Sequence, residues 1–577
     1  MKDRRRREGA AWRGPHRAVP PSSSSLFFAL FASLSFTLFA AVAFSTVRLF
    51  GVSFHPVLIS TWQSPAMNAV SGELPVSRQD RTATFSSPQI REAISFPDQV
   101  LLFLRYPSSL PISDLLCLYY SSSLSTTPGG GGGGHPDLRL PPLSSSSSSP
   151  DPLLVRCPSA PGTFSISLSP SPSLSLSRDL PPIRPHPWDH LAYAAVFDPR
   201  DNSTIVFAKG LNLRPARLSD PSRYECIFGW NFFKPKYLLT SAATSAAQEI
   251  IRCKTPGSVL LRHLRQSNRD PPLVSVKSKG RGSFTLPSVA RPETISSPKR
   301  WRNKEHSMCV CTMVRNQARS LQEWIAYHSR IGIQRWFIYD NNSDDGIEQV
   351  IESLASSSNY NITLHSWPWV KTQEAGLAHC ALRARGHCEW VGFIDVDEFL
   401  YLPAKIMLHD VLHKYSSKPW VGELRTACHS FGPSGRKTIP SEGVMVGYTC
   451  RMNSPERHKS IVRPEALNPS LINVVHHFHL KDGMRYVNMD RGVMVINHYK
   501  YQVWEVFKEK FYRRVATYVA DWQDEENVGS KDRAPGLGTK AVEPPDWPSR
   551  FCEVNDTGLR DWVLRAFSDP NTGLLPW

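Results

Sequence analysis

The second half of the chain alternates between two hydrophobic patterns. Short apolar runs (MCVCTMV from Met308, then RWFIYD and ITLHSW) are typical of buried strands. Apolar residues repeat at helical spacing in the segments that follow each of these runs. These segments are ARSLQEWIAYHSRIG, IEQVIESLA and TQEAGLAHCALRARGH. This alternation predicts βαβ units, a parallel sheet and an α/β fold. Ligands of such sheets bind at the carboxyl ends of the strands.

The next apolar run, WVGFIDVDEFLYL (Trp390 to Leu402), contains three acids. Read as a strand, it places Asp395 and Asp397 on the same side, directly before Glu398. Because a buried, unpaired carboxylate is costly, such a pair predicts a site for Mg²⁺ or Mn²⁺. Asp340, at the end of the second strand, should face the same crevice. The alternative is a surface turn with solvated acids.

The N-terminal 47 residues have the pattern of a membrane anchor. Residues 26–47 carry no charge and follow a basic segment, residues 1–25. At ~1.5 Å per residue such a helix can cross a hydrocarbon core of ~30 Å. We therefore expect a single-pass type II protein with a cytosolic basic tail and a lumenal body. A cleaved signal peptide is the alternative. Sequons at Asn202, Asn341, Asn361 and Asn555 agree with a lumenal body.

Composition divides the rest of the chain. Residues 48–185 are rich in Ser, Pro and Gly, which predicts a low-complexity stem without a core, although a misjoined gene would look the same. Residues 186–264 contain short β-branched and apolar runs between turn signals, which predict a small β-sandwich. Residues 265–305 read as a linker, and residues 306–577 form the α/β domain.

Eleven cysteines are scattered without a CxxC pair, so a zinc ribbon is disfavoured. Cys309 and Cys311 lie in an apolar strand and are interpreted as buried thiols. Three pairs are possible disulfides in an oxidising compartment: Cys226 with Cys253, Cys380 with Cys388, and Cys428 with Cys450.

The net charge of +17 could indicate a nucleic-acid binder. Much of the excess, however, lies in the N-terminal basic cluster and the linker, and neither a helix-turn-helix pattern nor a stacking motif is present. The first strand is not followed by GxGxxG, and the chain contains no GxxxxGK[ST]. Dinucleotide and P-loop chemistry are therefore disfavoured.

Four motifs occur in order along the chain: CTMVRNQARSLQEWIAYHSRIGIQRWFIYDNNSDDG, FIDVDEF, KSIVRPEAL and VINHYKYQ. With these motifs the chain resembles the plant members of glycosyltransferase family 92. The resemblance implies a GT-A-type nucleotide-sugar transferase domain, with a mixed sheet flanked by helices. Residues 186–264 resemble the carbohydrate-binding-like β-sandwich module that precedes it in plant β-1,4-galactan synthases. Those enzymes transfer galactose from UDP-galactose onto pectic galactan in the Golgi.

The resemblance also implies roles for single residues. Asp395 and Asp397 match the DxD motif that binds Mn²⁺ and the UDP diphosphate, and His498 would be a further metal ligand. His498 has rivals in His476, His477 and His479, and a structural role for it stays open. The remaining donor-binding residues would be Asp340 and Asn342 at the uridine, Arg315 and Asn316 near the nucleotide, and Lys459 at the diphosphate. An exposed lysine without a role is the alternative for Lys459.

Forming a β-linkage from an α-linked donor implies inversion, which needs a base for the acceptor hydroxyl. Asp490 is the first choice, followed by Asp482 and Glu456. The expected partners are a UDP-sugar donor, a galactan acceptor, a membrane and a second copy of the chain. The alternatives are another UDP-sugar or glycan acceptor, or an inactive glycan-binding scaffold.

Overall fold

A computed structural model describes residues 89–105, 115–121, 136–146, 153–170, 180–211, 213, 218–230, 232, 238–264, 271–280, 282–295, 304–358, 360–518 and 542–577. All of them belong to the unit Ala83–Trp577. The predicted cytosolic tail and membrane anchor, residues 1–47, lie outside the described residues. Among the helices that are described, none is both long enough and apolar enough to span a bilayer.

The first described part is a pair of β-sheets. One sheet has the order β5-β6-β2-β1-β8 and the other the order β4-β3-β7. Apolar side chains from both sheets form one core, and the Cys117–Cys157 disulfide joins β3 to β6 within it. The strands are β1 (Gln89–Ser95), β2 (Gln99–Arg105), β3 (Leu115–Ser121), β4 (Leu138–Leu140), β5 (Ser144–Ser146), β6 (Leu153–Pro158), β7 (Phe164–Pro170) and β8 (His186–Pro187).

In the described residues from Gln89 onward, this sheet pair corrects the prediction that residues 48–185 form a stem without a core. The sequence FSISLSP of β7 shows the reason, because serine alternates with apolar residues there. Phe164, Ile166 and Leu168 enter the core, as period-two alternation requires. The high serine content therefore marks the other face of these strands. It does not mark a segment that lacks a fold.

The second part is a seven-stranded sheet of order β14-β11-β12-β13-β10-β9-β15. Its core includes residues from both ends of that order, such as Ala192 of β9 and Val274 of β14, so the two ends pack face to face over one core. Its elements are β9 (Leu191–Asp198), β10 (Ser203–Lys209), β11 (Tyr224–Gly229), β12 (Leu239–Ala247), β13 (Ile250–Lys254), α1 (Gly257–Leu264), β14 (Leu273–Ser278) and β15 (Pro292–Thr294).

The predicted Cys226–Cys253 disulfide is confirmed and joins β11 to β13. The predicted linker over residues 265–305 is wrong in part. Within it, β14 pairs with β11 and β15 pairs with β9, so this β module extends to Thr294. Pro and Ser outside the two short strands obscured them in the sequence.

The third part carries a nine-stranded mixed sheet. Its strands are β16 (His306–Val314), β17 (Arg335–Asp340), β18 (Ile362–Ser366), β19 (Cys388–Phe393), β20 (Glu398–Tyr401), β21 (Val421–Ser430), β23 (Arg457–Val462), β26 (Arg485–Asn488) and β27 (Val495–His498). The short pairs beside it are β22 (Cys450–Arg451) with β28 (Val554–Asn555), and β24 (Asn473–Val474) with β25 (His477–Phe478). The helices are α2 (Ala318–Ile331), α3 (Ile347–Ser357), α4 (Gln373–Ala384), α5 (Leu408–Ser416), α6 (Val444–Gly447), α7 (Trp504–Tyr518) and α8 (Gly558–Phe567).

The sheet order is β18-β17-β16-β19-β23-β21-β27-β20, with β26 also on β21. The first four strands are parallel, and β23 and β20 run antiparallel to their neighbours. One face of the sheet packs on α2 and α3, and the other face packs on α4 and on strands of both β modules. A mixed sheet flanked by helices agrees with the predicted α/β class.

The acidic segment was predicted as one strand, and this is wrong. It forms two strands, β19 and β20, separated by a turn that contains Asp395, Val396 and Asp397. The Glu398 N–H donates to the Asp395 carbonyl, and the Asp395 N–H donates to the Glu398 carboxylate at 3.1 Å. These hydrogen bonds favour the turn, and β20 then pairs with β27 at the far edge of the sheet.

The cysteine pairing also differs from the prediction. Cys309 and Cys311 are not free thiols, because they bond to Cys388 and Cys380 respectively. Cys450 bonds to Cys552, which leaves Cys428 as the free cysteine. The proposed Cys380–Cys388 and Cys428–Cys450 pairs are therefore wrong, since proximity in sequence does not reproduce the neighbours that a parallel sheet creates.

Candidate functional site

The acidic turn lies where the parallel part of the sheet ends. β19 ends at Phe393, and the chain then places the Asp395 carboxylate beside β23 and the Asp397 carboxylate beside β27 and α7. The turn thus connects the centre of the sheet to its edge. It brings side chains from four distant segments to one place.

Asp395 contacts a lysine and a histidine. Its Oδ2 lies 3.1 Å from Lys459 Nζ and 3.3 Å from His476 Nε2. Burial alone would raise the pKa of the Asp395 carboxyl, but the charges of Lys459 and His476 hold it well below its usual range. Asp395 is therefore a carboxylate at neutral pH.

Asp397 has a second, separate pair of partners. Its Oδ2 lies 3.4 Å from His498 Nε2 and forms an ion pair with Lys510 of α7. Burial opposes ionisation here as well, but Lys510 and His498 keep the pKa of the Asp397 carboxyl far below its usual range. The backbone fixes this arrangement, because the Tyr499 N–H donates to the Asp397 carbonyl at 2.8 Å.

Glu398 is the fully buried acid of the segment. Its Oε1 lies 2.8 Å from Lys459 Nζ and 3.5 Å from His498 Nδ1. Burial raises the pKa of Glu398 to about 7, against the effect of Lys459. Glu398 thus links the Lys459 side of the site to the His498 side. The sequence placed this acid in the segment but assigned it no role.

The ligand atoms of Asp397 and His498 lie close enough together for one divalent cation, and Asp395 is linked to them through Lys459 and Glu398. Metal–ligand distances of about 2.1 Å put neighbouring ligand atoms about 3 Å apart, close to the 3.4 Å between His498 Nε2 and Asp397 Oδ2. Burial lowers the pKa of His498 to about 4, despite Asp397, so its imidazole is neutral and can act as a ligand. Cys428 lies within 4.8 Å of Glu398 and His498, but burial raises the pKa of its thiol well above the usual range, which disfavours thiolate ligation.

The rival histidines occupy other positions. His476 contacts Asp395, whereas His477 hydrogen-bonds Ser460 Oγ and His479 is exposed. His498 alone among the four contacts Asp397 and Glu398. Lys459 is buried in two ion pairs with site acids, so the alternative of an exposed lysine without a role is wrong.

The predicted nucleotide residues lie together at the ends of β16 and β17. The Asn316 N–H donates to Ser343 Oγ at 2.9 Å, and Asn316 Oδ1 accepts from the Asp344 N–H at 2.9 Å. Asn342 donates to the Pro368 carbonyl at 3.0 Å. Asp340 accepts from the Ser343 N–H, and burial raises the pKa of its carboxyl. Arg315 directly precedes Asn316, so these four predicted nucleotide residues form one group of joined loops, and whether Asp340 faces Asp395 stays a prediction.

Arg156 was missed by the sequence analysis. It is buried on β6 of the first sheet pair, and it interacts electrostatically with Asp340, Glu348 and Arg315 of the third part. Burial lowers the pKa of Arg156, and the acids partly restore it. No sequence signal pointed to Arg156, because its strand lies in the segment predicted as a stem.

The three candidate bases differ in their exposure to solvent and in their hydrogen-bond partners. Asp482 and Asp490 are exposed, and the Asp490 carboxylate accepts from the Gly492 N–H at 2.7 Å in a local turn. Within the described part of the chain, neither contacts Asp395, Asp397 or His498. Glu456 instead lies beside β21 and β27, 2.9 Å from Lys500 Nζ and 3.2 Å from the Tyr501 hydroxyl.

The chain is similar to known proteins over most of its length. The family model of glycosyltransferase family 92 matches residues 304–528. A glycosyltransferase family 92 protein of Oryza sativa subsp. japonica is 58% identical over 574 residues, which cover 97% of this chain and 94% of that protein. This chain belongs to glycosyltransferase family 92. The resemblance inferred from the four motifs is thereby confirmed.

Three further matches range from a full-length relative to a distant solved structure. A family 92 protein of Ricinus communis is 53% identical over 585 residues, covering all of both chains. The galactan beta-1,4-galactosyltransferase GALS2 of Arabidopsis thaliana is 24% identical over 202 residues, 32% of this chain and 37% of that protein. Among solved structures, GalNAc-T7 with UDP, GalNAc and Mn²⁺ covers 41% of this chain and 53% of its own, with 9% identity and a TM-score of 0.24. A TM-score this low does not establish a shared fold.

The sequons of this family 92 chain differ in accessibility. Asn341 is buried, and its amide donates to the Trp367 and Trp369 carbonyls at 2.7 and 3.1 Å. It cannot carry a glycan in the folded protein, so this sequon is structural. Asn202, Asn361 and Asn555 are exposed.

Proposed function

We propose that this family 92 glycosyltransferase moves galactose from UDP-galactose onto a β-1,4-galactan acceptor, with inversion and with a divalent cation. The observation that carries the proposal is the convergence of Asp395, Asp397 and His498 at the end of the parallel strands. A crevice with two ionised carboxylates, a neutral imidazole and two nearby lysines suits a diphosphate held through a metal ion.

Asp395, Asp397 and His498 would hold the cation, with Mn²⁺ as the first choice. A cation held there would supply positive charge to stabilise a departing nucleoside diphosphate. Lys459 and Lys510 already balance the charges of the two aspartates. Both lysines are positioned to balance additional negative charge when an anionic donor enters.

Glu456 is the best-placed base among the candidates. Despite burial, its hydrogen bond to Lys500 lowers the pKa of its carboxyl, so Glu456 is ionised at neutral pH. Its partner Lys500 is two residues from His498, which supports a position of Glu456 near the proposed cation ligand. It would accept the proton from the acceptor hydroxyl as that oxygen attacks the sugar.

Galactose as the donor sugar is supported by the similarity to GALS2 over 202 residues. Epimeric sugars differ in one hydroxyl orientation, so small differences in the pocket decide the donor. Glucose and arabinose donors are therefore direct competitors in the test below.

The proposed location is the Golgi membrane, with residues 26–47 as a type II anchor and the catalytic part lumenal. Five disulfides support an oxidising compartment. A homodimer is part of the same proposal and is testable by light scattering of the purified chain.

The test is transfer by the full-length chain with UDP-galactose, UDP-glucose and UDP-arabinose, each with Mn²⁺ and β-1,4-galactan oligosaccharides. We expect elongation with UDP-galactose and its loss after chelation. Elongation with another donor alone would overturn the galactose assignment. Binding of galactan without transfer from any donor would instead indicate an inactive scaffold.

The metal site is tested with the variant Asp397→Asn, which removes one carboxylate charge but keeps the shape of the side chain. We expect it to abolish transfer while the circular dichroism spectrum stays unchanged. Near-normal turnover by this variant would contradict the metal site.

A further inference from the structure

A second cluster of ligand-type side chains lies on the opposite face of β23 from Lys459. Glu423 of β21, His458 of β23 and His477 of β25 place their ligand atoms within 4.8 Å of one another. The two imidazole rings are 4.1 Å apart between centroids. We call these three residues the rear cluster.

The rear cluster contains polar atoms without partners. Glu423 is fully buried, and its Oε2 has no hydrogen-bond partner among the described residues. His458 Nε2 is likewise buried and unpartnered within that part of the chain. Leaving a buried carboxylate oxygen and a buried ring nitrogen unpaired is costly, so both atoms point to a missing ligand.

The remaining hydrogen bonds orient the cluster for a cation. Ser460 Oγ donates to Glu423 Oε1 at 2.5 Å and therefore accepts from His477 Nδ1–H at 3.0 Å. This leaves the lone pair on His477 Nε2 available. Histidines that bind metals usually donate their other ring N–H to such an acceptor.

Arg425 is the charged group facing the rear cluster. Its Nε donates to Glu423 Oε1 at 3.1 Å, and its guanidinium stacks on Tyr486. Arg425 and Ser460 thus both donate to Glu423 Oε1, and neither of them donates to Glu423 Oε2. Burial, with a contribution from His458, lowers the pKa of His477 to about 3, so the ring stays neutral.

We propose that Glu423, His458 and His477 bind a structural Zn²⁺ ion, separate from the cation at Asp395 and Asp397. Two imidazoles and one carboxylate form a ligand set that zinc accepts readily, whereas Mg²⁺ and Ca²⁺ prefer oxygen ligands. Ligand atoms of a tetrahedral zinc site are about 3.3 Å apart, so binding requires a contraction of at most about 1.5 Å between these side chains.

The rear ion has a structural consequence for the donor site. His477 is adjacent to His476, which contacts Asp395, and His458 is adjacent to Lys459, which contacts Asp395 and Glu398. Zinc bound to His458 and His477 would join β23 to the β24–β25 pair. It would thereby fix the two side chains that hold Asp395.

The experiment uses the full chain carrying Asp397→Asn and His498→Gln, so that the donor-site cation is removed. The protein is loaded with Zn²⁺, passed through gel filtration and analysed by mass spectrometry for bound metal. We expect about one retained equivalent of zinc. Replacing Zn²⁺ with Co²⁺ should give the visible absorption of a four-coordinate ion. A protein that retains no zinc and shows no such band overturns the proposal.

Ligand variants are then made in the same background. His458→Gln and His477→Gln should each weaken Zn²⁺ binding by more than the about 10–100-fold typical of outer-shell changes. His413→Gln, at an exposed histidine of α5, is the matched control and should retain the ion. Unchanged Zn²⁺ affinity in both ligand variants overturns the proposal. If a variant does not fold, the metal content and cobalt spectrum of the background protein decide.

Discussion

At the scale of single residues, the two aspartates of the acidic turn are ionised by different means. Asp395 depends on Lys459 and His476, whereas Asp397 depends on Lys510 and His498. Each carboxylate therefore has its own lysine and its own imidazole. A change in one set of partners should leave the ionisation of the other aspartate largely intact.

The first prediction concerns Glu456 as the base for the acceptor hydroxyl. Glu456→Gln keeps the hydrogen-bonding shape but cannot accept a proton, so kcat should fall by about 10²–10⁴-fold while KM for the donor stays unchanged. Steady-state kinetics with varied donor measures both. Asp490→Asn is the control and should be near normal, because Asp490 is exposed in a local turn. A normal Glu456→Gln enzyme together with an inactive Asp490→Asn enzyme would reverse the assignment.

The acidic motif and the family resemblance singled out Asp395, Asp397, His498 and Lys459, and ion pairs and close contacts link these four residues in the structure. Sequence reasoning preferred Asp490 as the base, whereas the proposal made from the structure prefers Glu456. The two differ because the position of an acid relative to β27 depends on strand order. Strand order is not visible in local pattern.

At the scale of elements, helix α2 supports the strand that follows the acidic turn. His328 of α2 is fully buried and stacks on Phe399 of β20. Its Nδ1 bonds the Trp324 carbonyl at 2.8 Å, and its Nε2 accepts from the Leu400 N–H at 3.3 Å. The ring must therefore stay neutral, because a protonated Nε2 could not accept that hydrogen bond.

This contact makes a prediction about pH and stability. Burial lowers the pKa of His328 to about 3, whereas its value in the unfolded chain is about 6.5. The unfolded state binds the proton more tightly, so stability is lost as the pH falls below about 6.5. Between pH 7 and pH 5 this residue should cost about 2 kcal/mol of unfolding free energy.

The measurement is urea unfolding at both pH values for the wild type and for His328→Gln. Glutamine can still donate and accept but does not titrate in this range. The variant should therefore lose about 2 kcal/mol less than the wild type on acidification. Equal losses in the two proteins would show that His328 is not the group responsible.

The elements also show why one strand was predicted where two exist. Val391, Phe393, Phe399 and Leu400 are all buried, so apolar residues stand on both sides of the acids. The period-two spacing of Asp395 and Asp397 around Val396 then has the appearance of one continuing strand. The hydrogen bonds between Asp395 and Glu398 that form the turn have no signature in the hydrophobic pattern.

At the scale of the whole molecule, the two β modules pack against the transferase domain. Phe96 of the first sheet pair and Tyr193 of β9 contact Trp188, which stacks on Trp369 after β18 at 5.4 Å. The Trp369 carbonyl accepts from the Asn341 amide at 3.1 Å, beside the predicted nucleotide residue Asn342. The N-terminal modules therefore pack close to the loop that follows β17, and residues 89–170 are more than a spacer.

Arg156 provides the prediction at this scale. Arg156→Gln removes a buried positive charge near Asp340 and Glu348, and it should weaken binding of an anionic donor by about 1 kcal/mol, or roughly fivefold in KM. The value of kcat should change little, because Arg156 interacts with Asp340 at the end of β17, and β16 separates β17 from β19, which leads into Asp395 and Asp397. Donor titrations at low and high salt measure the effect, which should shrink with salt.

Arg139→Gln is the matched control, because Arg139 is an exposed arginine of the same sheet pair. Its KM should equal that of the wild type. A rise in KM for both variants would point to a general effect of charge and not to Arg156. This contribution could not be predicted from sequence, since the Ser-rich composition concealed the strands that carry Arg156.

The nested disulfides have a consequence for biosynthesis. Cys309 and Cys311 are two residues apart on one face of β16, and their partners Cys388 and Cys380 are eight residues apart. Oxidation before β19 and α4 have docked can join either thiol to either partner, and the incorrect pairing would hold strand and helix in the wrong register. Maturation of this protein therefore calls for an isomerase that reshuffles bonds, and a host cell lacking one should yield chains that are oxidised but inactive.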